Sequence, residues 1–213
     1  ITGVATVPVE GDANGNLLEE IDPLGGVTRY RYDRNNNRVS VTDANGATTT
    51  YTYTRLGKLH TTTHPDGGVE TLTYDNMGNR IGYTDQLGNV TSWTLDSVYR
   101  EIAVTDPLGA TTTFTYDAVS NRTSVTDPRG FITRYVYDAL NRLEQVIDPF
   151  GGTTRFSYDD ADNLLTQTDP LGAVTTHAYN ELNQLEQHTD PNGAVTEYVY
   201  DGHGNRIKIT DSL

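Results

Sequence analysis

Aspartate is the residue type most regularly placed to do chemistry. It recurs every 21 residues, at Asp22, Asp43, Asp85, Asp106, Asp127, Asp148, Asp169 and Asp190, with His64 taking one turn in the series. A second series runs eleven residues behind, at Asp33, Asp75, Asp96, Asp117, Asp138, Asp159 and Asp201, with Thr54 and Asn180 in place of two members. Two such rows of carboxylates, with nearby carbonyls, could ligate Ca²⁺. The simpler reading is that each aspartate accepts hydrogen bonds from backbone NH groups of its own turn. The calcium-binding nonapeptide repeat, which would be specific, is absent. Cofactors are therefore expected to be none, with Ca²⁺ as the one candidate and no metal ligand assignable.

Tyrosines form a second regular set. Rows of rings could stack on sugars, or they could pack on one another as the covered face of a sheet. The five histidines are His60, His64, His177, His188 and His203; only the first two are close in sequence, and they straddle a strand–turn boundary. No G-x-S-x-G, H-E-x-x-H or phosphate-binding loop occurs. No catalytic residue is assigned and no enzyme is expected. Asn89-Val90-Thr91 and Asn121-Arg122-Thr123 fit the N-glycosylation pattern, a weak signal in a chain this rich in Asn and Thr.

The elements that carry these residues follow from one 21-residue unit, counted here from its opening aspartate as offset 0. Offsets 0 to 3 read Asp-Pro-x-Gly, and seven of the eight prolines stand at offset 1. Proline pre-sets the second position of a type I turn, and glycine can take the left-handed conformation that follows it as a bulge. The turn glycines are Gly25, Gly46, Gly67, Gly88, Gly109, Gly130, Gly151, Gly172 and Gly193. Offsets 5 to 11 alternate as a strand does. Offset 10 is tyrosine at positions 32, 53, 74, 116, 137, 158, 179 and 200, with Leu95 the exception. Tyr32, Tyr53, Tyr74, Tyr116, Tyr137, Tyr158, Tyr179 and Tyr200 are the expected inward aromatics. Offsets 11 to 15 form a second tight turn whose fourth residue is mostly Gly, Asn or Asp. Tyr99 and Ser120 break that preference, so their turns are expected to differ in shape. Offsets 16 to 20 return as a strand. Asn alternates with a longer polar residue at offset 15, which suggests a 42-residue pair of hairpins.

Both turns are too short for a parallel crossover, so the fold class is all-β: tandem 21-residue antiparallel β-hairpin repeats in one sheet. The array is read over residues 1–213, with a degenerate copy at 1–21, nine in-register copies at 22–210, and 211–213 opening another. In the degenerate copy Val4, Thr6 and Val9 alternate without the aromatic pair. The phasing at both ends predicts a segment of a longer array. Nine copies give about 18 strands, or a sheet roughly 86 Å wide and about 20 Å tall. Its aromatic face must curl on itself, spiral, or meet another copy.

A formal net charge of −14 disfavours nucleic acid as a partner. No apolar run is long enough for a membrane span, and the lack of cysteine removes disulfides and thiol chemistry.

The unit resembles the YD repeat of the Rhs family, whose defining string is roughly YDxxGN/RLxxVTDPxG. The chain reads Tyr116-Asp117, Asn121-Arg122, then Val125-Thr126-Asp127-Pro128-Arg129-Gly130. It reads so again at Tyr137-Asp138, Asn141-Arg142-Leu143 and Asp148-Pro149-Phe150-Gly151. The likeness covers residues 11–213. It implies a hairpin array that spirals into a hollow shell, in bacterial polymorphic toxins, insecticidal toxin complexes and teneurins. The implied role is a scaffold, secreted or at the bacterial cell surface, enclosing cargo such as a toxin domain. The implied partners are further copies of the repeat, in the same chain or a neighbouring subunit. A filament or tube is the alternative, and a glycan- or calcium-binding adhesion module a further one.

Overall fold

The computed structural model describes residues 7–212. The chain forms two units, Ile1–Thr111 and Thr112–Leu213. In the first, the strands are β1 (Val7–Gly11), β2 (Leu17–Ile21), β3 (Val27–Tyr32), β4 (Arg38–Thr42), β5 (Thr48–Tyr53), β6 (Leu59–Thr63), β7 (Val69–Tyr74), β8 (Arg80–Thr84), β9 (Val90–Leu95) and β10 (Glu101–Thr105). The remainder are β11 (Thr111–Tyr116), β12 (Arg122–Thr126), β13 (Ile132–Tyr137), β14 (Leu143–Ile147), β15 (Thr153–Tyr158), β16 (Leu164–Thr168), β17 (Val174–Tyr179), β18 (Leu185–Thr189), β19 (Val195–Tyr200) and β20 (Arg206–Asp211). Among the described residues there is no helix. Of the degenerate first copy, Val4 and Thr6 lie outside the described residues. Val9 falls in β1, whose backbone pairs with β2.

Within each unit every strand pairs antiparallel with the strands before and after it in the chain. The register repeats with the sequence. In the second hairpin Tyr30 faces Val41 and Arg31 faces Ser40, and then the ladder slips so that Tyr32 faces Arg38. The same slip recurs at Tyr53, Tyr74, Tyr137, Tyr158, Tyr179 and Tyr200. Each slip inserts one extra residue beside the tyrosine, a bulge that increases local twist.

The period-2 pattern sets the two faces. Along β5, β9 and β17 exposed and half-buried residues alternate strictly. The half-buried face carries the rings of offsets 8 and 10. On the exposed face, threonine and serine hydroxyls join across the strands, Thr52 to Thr61 at 2.6 Å and Ser157 to Thr166 at 2.6 Å. These pairs are the sheet's equivalent of helix side-chain pairs, each worth about 0.2–1 kcal/mol. No hydrophobic side chain among the described residues is fully buried. A single sheet has only one partner layer per strand, its neighbours in the same plane, so each ring keeps an open side.

Candidate functional surfaces: two turn rows and a ring ladder

The turns at the two edges share one geometry. In the first row, at offsets 0–4, the Asp106 NH donates to the Ala110 carbonyl at 2.9 Å and the Gly109 NH donates to the Asp106 carbonyl at 3.0 Å. The Asp106 Oδ1 accepts from the NH groups of Leu108 and Ala110, both at 2.9 Å. In the second row, at offsets 11–15, Asp117 repeats these contacts with Ser120, Val119 and Asn121. All nine first-row glycines take positive φ, from 83° at Gly88 to 90° at Gly151. Each is a left-handed position that closes a type I turn with a bulge.

Tyr99 and Ser120 correct the expectation of different turns. They stand at φ 66° and 74° and make the same backbone bonds as their neighbours. The paired strands and the Asp carboxylate fix the turn more strongly than the residue's own preference resists it.

The turn aspartates are thus engaged locally. Asp33, Asp75, Asp159 and Asp201 titrate below the usual carboxylate value, chiefly because the amides of Asn37, Asn79, Asn163 and Asn205 donate to them. Asp138 is lowered first by the backbone NH of Arg142 and also by its guanidinium. Among the described residues no group of three His, Cys, Asp or Glu side chains could hold a metal ion.

In the second row, offset 15 does more than serve its own turn. The Asn121 amide reaches Asn141 Oδ1 of the next copy at 2.9 Å, and Asn163 reaches Asn183 at 2.9 Å. Between them, Arg142 binds Asp138 Oδ2 at 2.7 Å, the Asp159 carbonyl at 2.7 Å and Asp162 Oδ1 at 3.0 Å. The alternation of Asn with a longer side chain is a chain of bonds from copy to copy. Asn121, one of the two sequon asparagines, has its amide in this chain; the other, Asn89, bonds Asp85 at 2.7 Å.

The offset-10 tyrosines also link copies. Tyr53, Tyr74, Tyr137, Tyr158 and Tyr200 each donate a hydroxyl proton to a carbonyl fifteen residues back, on the return strand of the preceding hairpin. The distances run from 2.7 Å at Tyr74 to 3.0 Å at Tyr137. Tyr32, Tyr116 and Tyr179 are half-buried on the same face. Leu95 has no hydroxyl to give. Arginines at offset 16 lie over offset-8 rings: Arg38 over Tyr51 at 5.3 Å, Arg80 over Trp93 at 4.6 Å, Arg122 over Tyr135 at 5.3 Å. These cation–π contacts cover part of a face that the sheet itself leaves open.

Sequence reasoning missed the turn tips. Leu24, Leu87, Leu108, Phe150 and Leu171 stand at offset 2 and project outward, Leu24 at 97% exposure and Phe150 at 86%. Leu56, Met77, Val98, Val119, Leu140 and Leu182 do the same at offset 13 on the opposite edge. Apolar recurrence at those two offsets was the available signal.

The histidines scatter. His60 Nδ1 lies 3.0 Å from the Leu72 carbonyl, and His64 Nε2 lies 3.1 Å from Glu70. His203 is exposed on a second-row turn. His177 and His188, eleven residues apart in sequence, face each other directly across β17 and β18.

This geometry defines the class: a tandem β-hairpin repeat in which successive copies bond through turns, hydroxyls and rings. The RHS Repeat family model matches residues 11–48, 32–69, 100–132, 121–153, 137–174, 158–195 and 179–213. The chain belongs to the RHS repeat family. A search of curated proteins finds no match to it. Among solved structures it is similar to TcdB2-TccC3-TEV, at 20% identity and a TM-score of 0.74, over 93% of this chain and 12% of that one. TcdB2-TccC3 without its hypervariable C-terminal region matches at 19% identity and a TM-score of 0.73, with the same coverage. The Tc holotoxin pore of Photorhabdus luminescens matches at 19% identity and 0.72, again over 93% and 12%. The likeness is one of fold, and the chain spans 12% of the length of the structures it matches.

Proposed function

We propose that this array is wall: a scaffold stretch of a secreted or cell-surface shell whose ring-bearing face is turned toward an enclosed space that holds cargo such as a toxin domain. The observation that carries the reading is the lack, among the described residues, of any fully buried hydrophobic side chain in a regular array of hairpins. A sheet that builds no interior of its own needs one made by curvature or by neighbours. The apolar tips at offsets 2 and 13 support it. They occupy five of nine copies at offset 2 and six of nine at offset 13, and tips in adjacent copies stand two strands, about 9.6 Å, apart. That spacing suits docking against the edge of another stretch of the same repeat. The surrounding carboxylates keep the outer face soluble.

A filament or tube is the second reading, favoured by nine copies without insertion or deletion, which leave no built-in stop. Negative-stain electron microscopy of the chain expressed with its native flanking sequence separates the two. Closed particles of fixed size are expected; fibres would favour the filament, and monomeric strips that never associate would overturn both.

A further inference from the structure

The paired positions at offsets 8 and 19 join a ring to an aliphatic side chain in five of the nine copies: Tyr30 to Val41, Trp93 to Val104, Phe114 to Val125, Tyr135 to Val146 and Tyr198 to Ile209. The order is reversed at Leu72 and Tyr83, and Tyr51 and Phe156 face the polar Thr62 and Gln167. In the hairpin of β17 and β18 both members change at once, to His177 and His188. The imidazole centroids are 5.1 Å apart with their planes 50° from parallel. His177 Nδ1 is buried and has no hydrogen-bond partner. A buried polar nitrogen without a partner is costly, and two imidazoles do not replace the apolar contact of a ring on valine.

The paired positions flanking the two imidazoles are polar, although β16 also carries Leu164 and Leu165 and β19 carries Glu197. Gln167 opposite Thr175 precedes the pair, and Thr196 stands opposite His188 on the other side. This local departure from ring-on-aliphatic pairing asks for a ligand that two imidazoles bind and hydroxyls tolerate.

We propose that His177 and His188 form an open, two-imidazole site for a borderline divalent transition-metal ion, with Zn²⁺ as its probe. Neutral imidazole suits such ions, whereas Ca²⁺ and Mg²⁺ require oxygen ligands. A metal–nitrogen distance of about 2.0–2.1 Å places two ligating nitrogens about 3–4 Å apart. Two rings with centroids 5.1 Å apart reach that by small side-chain rotations. The remaining coordination positions go to water or to a group brought by a partner, so binding is weak and exchangeable. Ligation requires both rings to be neutral.

Calorimetric titration of the untagged chain with Zn²⁺ at neutral pH tests this. Saturable binding of about one ion per chain is expected. Either His177→Ala or His188→Ala should weaken it at least about tenfold, since even supporting partners of metal ligands are worth about 10–100-fold. His203→Ala should leave it unchanged, and Ca²⁺ should give no heat at this site. The double variant His177→Tyr/His188→Val rebuilds the pair seen at Tyr135 and Val146, so it should fold and lose the ion. Absence of saturable Zn²⁺ binding, or binding that persists in this double variant, would overturn the assignment.

Discussion

The two turn rows have the same backbone and opposite means of holding it. In the first row the local residues supply most of it: proline at offset 1 in seven of nine copies, glycine at the left-handed position in all nine, and Gly or Ala at offset 4 in all but Asn89 and Phe131. Contact with the next copy is apolar there; a Cβ added at Gly152 would lie 3.2 Å from Pro170 Cβ, and the Phe131 and Phe150 rings are 5.7 Å apart. In the second row the left-handed position is filled by Asn36, Tyr99, Ser120, Asn141, Asp162 and Asn183, with glycine in the others. There the neighbour supplies the missing stability, through the Asn and Arg bonds that run from copy to copy. The first row is preorganised by sequence; the second is held by the array.

The largest expected break in that comparison is Gly151→Val. At φ 90° a β-branched residue is strongly disfavoured by its own backbone, whatever space surrounds it. A loss of roughly 1–3 kcal/mol is expected. Because neighbours interact only pairwise in such an array, native-state hydrogen exchange should place the loss in β14 and β15. Undiminished protection there would contradict the idea that this row depends on its glycine.

Arg142→Ala is the corresponding break in the second row. It removes bonds to Asp138, to the Asp159 carbonyl and to Asp162. The Arg142 side chain is 21% exposed, so solvent screens these bonds only in part. A measurable loss of stability is expected. The glycine change should lower exchange protection in β14 and β15, whereas this one should lower it in all four strands of the hairpins β13–β14 and β15–β16. A loss confined to the first would mean that the second row is not coupled.

How much of this the sequence carried differs between the rows. The period-2 alternation, the Pro and Gly placements and the Asp capping positions predict strands, turns and register, because each is a local demand written within one unit. Cross-copy contacts are another matter. The hydroxyl of Tyr74 meets the Leu59 carbonyl fifteen residues back, a separation fixed by the ladder slip and not by any residue preference. The error at Tyr99 and Ser120 has the same origin, since propensity is local and the bonds that override it are not. The return-strand arginines did leave a trace, at Arg38, Arg80 and Arg122, spaced by 42. They lie beside rings of neighbouring strands, which the unit read alone does not show.

Two changes sharpen the comparison from the strand side and the turn side. Tyr158→Phe removes a single hydroxyl bond to the Leu143 carbonyl and is expected to cost about 0.5–1.5 kcal/mol. Leu95→Tyr, at the one copy that lacks this donor, should return part of that amount in melting temperature. Tyr99→Gly acts in the opposite direction. It relieves a left-handed aromatic residue at φ 66° and should stabilise the chain by about 0.5–1 kcal/mol in urea denaturation. A destabilised Tyr99→Gly variant would show that the ring's contacts outweigh the backbone strain.

The smallest effect is electrostatic, because the turn carboxylates are exposed and screened. Asp75 has its pKa lowered from 3.8, first by the Asn79 amide and then by the Asn79 backbone NH. Asp85, in the other row, is lowered for the same first reason, because Asn89 happens to supply an amide there. Asp138 and Asp190, one in each row, are lowered first by a backbone NH instead, so the row does not decide the cause. With the folded pKa below the unfolded one, the contribution is present above about pH 3.8 and is lost as pH falls through the lower folded value. Asn79→Ala removes the amide but keeps the backbone donor. It should move the Asp75 titration, followed by carboxyl NMR, part of the way back toward 3.8 and shrink the acid-dependent loss of stability at that hairpin. Asp33 and Asp159, which keep their amides, should titrate as before. An unchanged Asp75 midpoint would assign its shift to the backbone NH groups that both rows share.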